Sequence, residues 1–203
     1  MSAYPLVLEG TALSAVIAGG GRVATRKAIA LLDAGARVRV IAPAVTPLLE
    51  QTLAQNQNLG ITRATFAPGH IGDALLVVAA TDDAEATALI AAQARALGRL
   101  VTVVDAPDLG NCITPAVHRS GDITLAVTTG GVPVAAARIR DRLGGLLDAR
   151  YASAVRELAR LRGELLHHGQ RERWSAASST LVGDDFCEHV ESGHFPARLA
   201  EWR

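Results

Sequence analysis

The stretch Gly19-Gly20-Gly21-Arg22-Val23-Ala24 narrows what this chain can fold into more than any other feature. It follows Ser14-Ala15-Val16-Ile17-Ala18, a continuous apolar run of the kind a parallel strand buried on both faces requires. It opens a helical pattern from Val23 to Ala34, with apolar Val23, Ala24, Ile29, Ala30, Leu31 and Leu32 and a stop at Gly35. A G-x-G-x-x-A turn between strand and helix reads as a dinucleotide-binding loop. Gly19 permits the tight turn, Gly21 lets a pyrophosphate approach the backbone, and Ala24 allows close helix–strand packing. The helix start adds free N–H groups and the positive end of a dipole. The competing reading is a glycine-rich loop that serves packing alone.

The rest of the first 127 residues alternates in the same way. Strands are expected at Leu6-Val7-Leu8, Val38 to Ile41, Ile61 to Thr65 (weaker), Leu75 to Ala79, Leu100 to Val104 and Ile123 to Val127. A helix is expected from Glu85 to Leu97, closed by Gly98. This alternation predicts an α/β fold, a parallel Rossmann-type sheet with helices on both faces. After Gly130-Gly131 the pattern turns helical, over 133–147, 151–168 and 171–192, so a boundary near residue 113 separates the sheet from a mostly helical remainder.

Composition excludes several classes. Half the residues are hydrophobic, enough for a buried core. Twenty basic and twenty acidic side chains cancel, which removes the electrostatic case for nucleic acid or a membrane surface. No apolar run is long enough to span a bilayer, and Met1-Ser2-Ala3-Tyr4-Pro5 lacks the layout of a secretion signal, so a cytoplasmic location is expected. Cys112 and Cys187 form no CxxC, and the six histidines are scattered, so no metal site is expected. No G-x-S-x-G, H-E-x-x-H or P-loop occurs. Charge is nonetheless uneven: residues 138–174 hold nine arginines against five carboxylates, the one block that would draw an anion.

Ligands of open parallel sheets bind beyond the C-terminal strand ends. Two polar stretches fall there, Thr81-Asp82-Asp83 and Asp105-Ala106-Pro107. Asp105 reads either as a general base in the crevice or as an ordinary loop aspartate; Asp82 or Asp83 reads as the cap of the next helix. Thr128-Thr129-Gly130-Gly131 is either an anion cradle or a plain N-cap turn. Arg138 and Arg142 share a helix face and either receive carboxylates or stay solvated. The second strand ends Ile41-Ala42-Pro43, without the acidic residue that usually takes a ribose 2′-hydroxyl. Arg37 and Arg39 precede that end and read as surface charges, so spacing alone leaves NAD and NADP open.

Several stretches taken together resemble a known family. They are Tyr4-Pro5-Leu6, Gly19 through Lys27, Leu31 to Ala36 with Ala42-Pro43, Ala79 to Asp83, Val103-Val104-Asp105-Ala106-Pro107, Pro115-Ala116, Thr129-Gly130-Gly131 with Ala137 to Arg140, and Arg171-Glu172-Arg173-Trp174. The chain resembles the precorrin-2 dehydrogenase/sirohydrochlorin ferrochelatase family, the first module of siroheme synthase. That resemblance implies an NAD-binding Rossmann domain over 1–113, a dimerisation and substrate segment over 114–148 and a helical domain over 149–203. It implies a homodimer that oxidises precorrin-2 to sirohydrochlorin with NAD+, with Fe2+ or Co2+ as a further substrate where the product is metallated. It implies cofactor contacts at Gly19, Gly21, Arg22, Val23, Ala24, Ala42, Pro43, Thr81 and Asp82. Substrate contacts fall at Thr128, Thr129, Gly130, Gly131, Arg138 and Arg142, and acid/base chemistry at Asp105. A missing carboxylate after the second strand is usual in the family and favours NAD. The chain departs from the family pattern at Thr102 (usually Asn), at Gly110 (usually Cys, here two residues later at Cys112) and at Pro133 (usually Ser). Two other readings compete: an NAD-sensing regulatory module without catalysis, and a chelatase without dehydrogenase activity.

Overall fold

A computed structural model describes residues 3–203, which form two compact units divided between Thr114 and Pro115. The first unit is a five-stranded parallel sheet in the order β3-β2-β1-β4-β5. Its elements are β1 (Ser14–Ala18), α1 (Arg22–Asp33), β2 (Arg37–Ile41), α2 (Pro47–Gln55), β3 (Leu59–Thr62), β4 (Leu76–Ala79), α3 (Ala84–Ala96) and β5 (Leu100–Val103). Strand β1 is buried on both faces, and its side chains alternate between two cores. Ala15 and Ile17 meet Ala24, Ala28 and Leu32 of α1 and Leu49 of α2. Val16 and Ala18 join the core that includes Ile90, Ala91 and Ala94 of α3. Helices therefore cover both faces. The registers align the C-terminal ends: Ala18 stands opposite Ile41 and Ala79, and Ala79 opposite Val103.

The outer edge of β5 is closed by a loop rather than left open for pairing. Asn111 accepts from the Val101 N–H through Oδ1 at 2.7 Å and donates to the Arg99 carbonyl at 2.9 Å. Its own N–H, and that of Cys112, donate to the Val101 carbonyl at 3.0 and 3.2 Å. A Cβ on Gly110 would lie 2.7 Å from that same carbonyl oxygen, so this loop packs close against the strand edge.

The second unit opens with an antiparallel hairpin, β6 (Ala116–Ser120) and β7 (Ile123–Val127). Five helices follow: α4 (Pro133–Gly144), α5 (Ala149–His167), α6 (Arg171–Leu181), α7 (Phe186–Glu191) and α8 (Phe195–Ala200). Helix α4 lies close on the hairpin, since a Cβ on Gly144 would strike the His118 ring at 2.7 Å. Tyr151, Ala154, Leu161 and Leu165 form the apolar stripe of α5, against Ala177, Leu181, Val190, Phe195 and Leu199. The Tyr151 hydroxyl donates to Glu191 at 2.8 Å and ties α7 to α5.

Several expectations fail. Leu6-Val7-Leu8 is not a strand: Leu6 and Val7 are 71% and 87% exposed and have no ladder to join. The third strand runs Leu59–Thr62, not Ile61 to Thr65, because pairing with β2 sets its register. Ile123–Val127 does not extend the parallel sheet. The two-residue turn Gly121-Asp122, with Gly121 at φ +57°, returns the chain antiparallel to β6, which was not expected at all. Helix α2 was also missed, although Thr46-Pro47 supplies an N-cap and a proline at the first position. The helix expected over 171–192 breaks at 182–185, and α8 lies beyond its expected end. No helix among the described residues is long and apolar enough to cross a membrane.

Candidate functional site

The turn after β1 is built by three glycines in different circumstances. Gly19 sits at φ +116°, donates its N–H to the Ile41 carbonyl at 2.9 Å, and would push a Cβ to 2.0 Å from the Ala80 carbonyl oxygen. Gly20 would push one to 2.0 Å from the Ala44 oxygen. Gly21 has ordinary extended backbone (φ −77°, ψ −171°), and a Cβ there would meet nothing within 4 Å. The fold demands the first two. The third is left as open space at the N-terminus of α1, where no side chain caps the helix. Uncapped N–H groups of that first turn beside an open approach suit a pyrophosphate, so the residues present fit a bound dinucleotide.

The turn is pinned from one side. Buried Thr25 donates to the Gly21 carbonyl at 2.9 Å and shares a 2.7 Å hydrogen bond with the Thr46 hydroxyl. Thr46 in turn donates its N–H to the Gly20 carbonyl at 3.1 Å and caps α2 at the Leu49 N–H. Residues Ala42 (buried) and Pro43 (exposed) run directly past this turn after β2. At the end of β4, Asp83 is the helix cap, accepting from Glu85 and Ala86 N–H at 2.9 and 3.0 Å. Thr81 accepts from the Asp83 N–H at 3.2 Å, and Asp82 remains exposed.

Asp105 lies two residues beyond β5, exposed, on the same C-terminal edge; the neighbouring Val104 N–H donates to Ala79 at 3.1 Å. Pro107 starts a 3-10 turn, Pro107–Leu109, that fixes the loop behind it. Gly19, Gly21, Arg22, Val23, Ala24, Ala42, Pro43, Thr81, Asp82 and Asp105 therefore all issue from the ends of β1, β2, β4 and β5 in one unit. Arg39 is elsewhere engaged, donating to the His70 carbonyl at 2.5 Å.

Lys27, the chain's only lysine, donates from α1 to the Thr114 hydroxyl. Burial, with Arg26 alongside, holds its ammonium below the usual lysine range against the opposing pull of Cys112. Burial raises the Cys112 thiol, and Lys27 partly offsets that.

The remaining expected residues belong to the second unit. Thr129 donates to the Val132 carbonyl at 2.6 Å, bending the chain into α4, and Gly130 and Gly131 take φ +59° and +111°. Val132 caps α4 with no side-chain hydrogen bond. On α4, Arg140 is held by Asp141 (Nε to Oδ1, 2.8 Å) and reaches the Val117 carbonyl at 3.4 Å, while Arg138 and Arg142 are exposed. Among the described residues no group of three or more His, Cys, Asp or Glu side chains could hold a metal ion.

Sequence reasoning missed Thr25, Thr46 and Asn111. Only Thr46, before a proline, carried a local signal. Thr25 lies in the first turn of α1, and Asn111 owes its position to the loop that folds back on β5.

Residues 6–116 match the model of an NAD(P)-binding family. The siroheme synthase of Chromobacterium violaceum is 41% identical over 157 residues, covering 77% of this chain and 33% of that protein. That of Nitrosomonas eutropha is 36% identical over 173 residues, covering 85% and 36%. The chain thus spans about a third of the length of these relatives. Among solved structures, SirC, described as a precorrin-2 dehydrogenase, superimposes with a TM-score of 0.78 at 24% identity, covering 98% of this chain and all of that one.

Proposed function

The chain belongs to the NAD(P)-binding family, and on that premise we propose that it is an NAD+-dependent dehydrogenase that oxidises precorrin-2 to sirohydrochlorin in the cytoplasm. The observation that carries this reading is the meeting, on one sheet edge, of an open glycine turn at a helix start and the exposed carboxylate of Asp105. Similarity to siroheme synthases and to a precorrin-2 dehydrogenase supports the choice of substrate.

When bound, NAD+ accepts the hydride that leaves the macrocycle. The backbone N–H groups of Arg22, Val23 and Ala24 would hold the pyrophosphate, with the open space at Gly21 left for it. Ala42 and Pro43, after β2, and Thr81 and Asp82, after β4, would hold the rest of the dinucleotide. Asp105 takes the proton released as the macrocycle is oxidised and returns it to solvent. Precorrin-2 is a polycarboxylate, and within the second unit exposed Arg138 and Arg142, with the Thr128–Gly131 turn, offer charges and N–H groups that suit carboxylates.

The tetrapyrrole supplies its own nitrogen ligands to a metal. Insertion of Fe2+ or Co2+ into sirohydrochlorin therefore needs a base, which Asp105 provides, and no cage of histidine or cysteine. Exposed Val134, Ile139, Leu143 and Leu146 around α4 support a homodimer through the segment 114–148.

The test mixes the protein with precorrin-2 and NAD+ and follows NADH. Formation above the uncatalysed rate is expected. Tetrapyrrole binding without NADH would point to a chelatase, and NAD+ binding without tetrapyrrole binding to a regulatory module.

A further inference from the structure

Two side chains beside the cofactor edge have no part in the reading above: Glu50 and Arg63. Strand β2 ends without the carboxylate that would receive a ribose 2′-hydroxyl. Strand β3 lies beside it in parallel register, Ile41 opposite Thr62, and the Ala42 N–H donates to the Thr62 carbonyl at 3.1 Å. Arg63 is the next residue, so its backbone leaves the sheet beside the position from which a dinucleotide's 2′ group is read. The Ala64 N–H folds back onto the Thr62 carbonyl at 3.0 Å, which puts Arg63 at the apex of a three-residue turn.

A guanidinium at this place has the charge and the planar donor fork that a 2′-phosphate needs. It is already taken. Glu50, in the first turn of α2, forms an ion pair with it. The two side chains remain 40% and 54% exposed, so water and competing anions reach the pair. A 2′-phosphate would have to displace the Glu50 carboxylate and then sit beside it, dianion against anion. A 2′-hydroxyl makes no such demand. Arg37 stands at the start of β2, at the opposite edge, and Arg39 is bound to His70.

We propose that the Glu50–Arg63 pair sets the choice between NAD+ and NADP+, with Arg63 as the 2′-phosphate site and Glu50 as the positioning residue that keeps it closed. This rests on the dinucleotide reading of the glycine turn, and not on which tetrapyrrole is oxidised.

The test is calorimetric binding of NAD+ and of NADP+ to the full chain with no tetrapyrrole present. The native protein is expected to prefer NAD+. Glu50→Gln is expected to shift the ratio of the two affinities towards NADP+ by about tenfold or more, the scale of one hydrogen-bonded charge pair. Adding Arg63→Met should cancel the shift, and added salt should weaken it. Arg63→Met alone, which removes an exposed side chain, should weaken NADP+ more than NAD+. An unchanged ratio in Glu50→Gln, a shift that survives Arg63→Met, or equal loss of both nucleotides in Arg63→Met overturns the proposal. Failure to oxidise precorrin-2 would end the dehydrogenase reading and leave this result standing, whereas a native chain that binds neither nucleotide overturns both.

Discussion

Gly19 and Gly21 stand two residues apart and should respond to substitution in opposite ways. At Gly19 a methyl group meets the Ala80 carbonyl oxygen at 2.0 Å on backbone at φ +116°. Gly19→Ala is therefore expected to lower unfolding stability by about 2–3 kcal/mol or more, read from denaturant midpoints. At Gly21 the same addition meets no atom of the chain. Gly21→Val should melt close to the native temperature and bind NAD+ at least about tenfold more weakly, because its side chain fills the approach of the pyrophosphate. Asp105→Asn keeps shape and removes the base; the expected result is a kcat lower by about two to four orders of magnitude with NAD+ affinity nearly retained. The positions of both were legible in the sequence, since a glycine turn between strand and helix and an aspartate at a strand end are contiguous signals; the acid/base role of Asp105 came from the resemblance. Arg63 was not, because its significance depends on β3 lying next to β2, a fact of strand order that no local window contains. Nor could Asp82 and Asp83 be told apart, since only the folded turn shows which carboxylate reaches the helix N–H groups.

At the scale of elements, burial made strands easy to see and pairing made them hard to assign. Strand β4, fully buried, and β1, buried after Ser14, announce themselves as apolar runs. Strand β7, half-buried in alternation, looks the same whether it joins a parallel sheet or a hairpin, and Gly121-Asp122 decides the matter. The break between α6 and α7 has a physical sequel. Asp185, at the start of α7, accepts from His189 at 2.9 Å and from Arg198 of α8 at 3.0 Å, and Arg198 also reaches the Thr180 carbonyl of α6 at 2.9 Å. The hydrogen bond from His189, followed by that from Arg198, holds the Asp185 carboxyl below the usual carboxylate range. A carboxylate with a lowered native pKa contributes its stabilisation in full above the ordinary aspartate range and loses it as pH falls through the native value. The melting temperature of the native chain, followed by circular dichroism, should accordingly fall on acidification more steeply than that of Asp185→Asn. Parallel acid limbs would show that the pairing contributes nothing.

The whole molecule combines a nucleotide-binding unit whose plan follows from its first 40 residues with a second unit whose plan does not. The first repeats one strand–helix rule, so hydrophobic period and glycine stops draw β1, α1, β2, β4, α3 and β5, whereas α2 and the bounds of β3 emerge only from the fold. The second has short helices, and its hairpin gains its place from close approaches such as Gly144 against His118. The exposed apolar residues of α4 predict that light scattering will give twice the mass of a 21.1 kDa chain. Replacing Ile139 and Leu143 by Glu together should yield monomer; an unaltered mass would remove this face from the interface. The central claim is that cofactor and base share the C-terminal edge of one sheet. A crystal structure of the full chain with NAD+ tests it most directly. The pyrophosphate should lie over Gly21 at the start of α1, with the nicotinamide beside the Asp105 carboxylate. A nucleotide bound away from the Gly19–Ala24 turn, or a nicotinamide turned away from Asp105, would contradict the account.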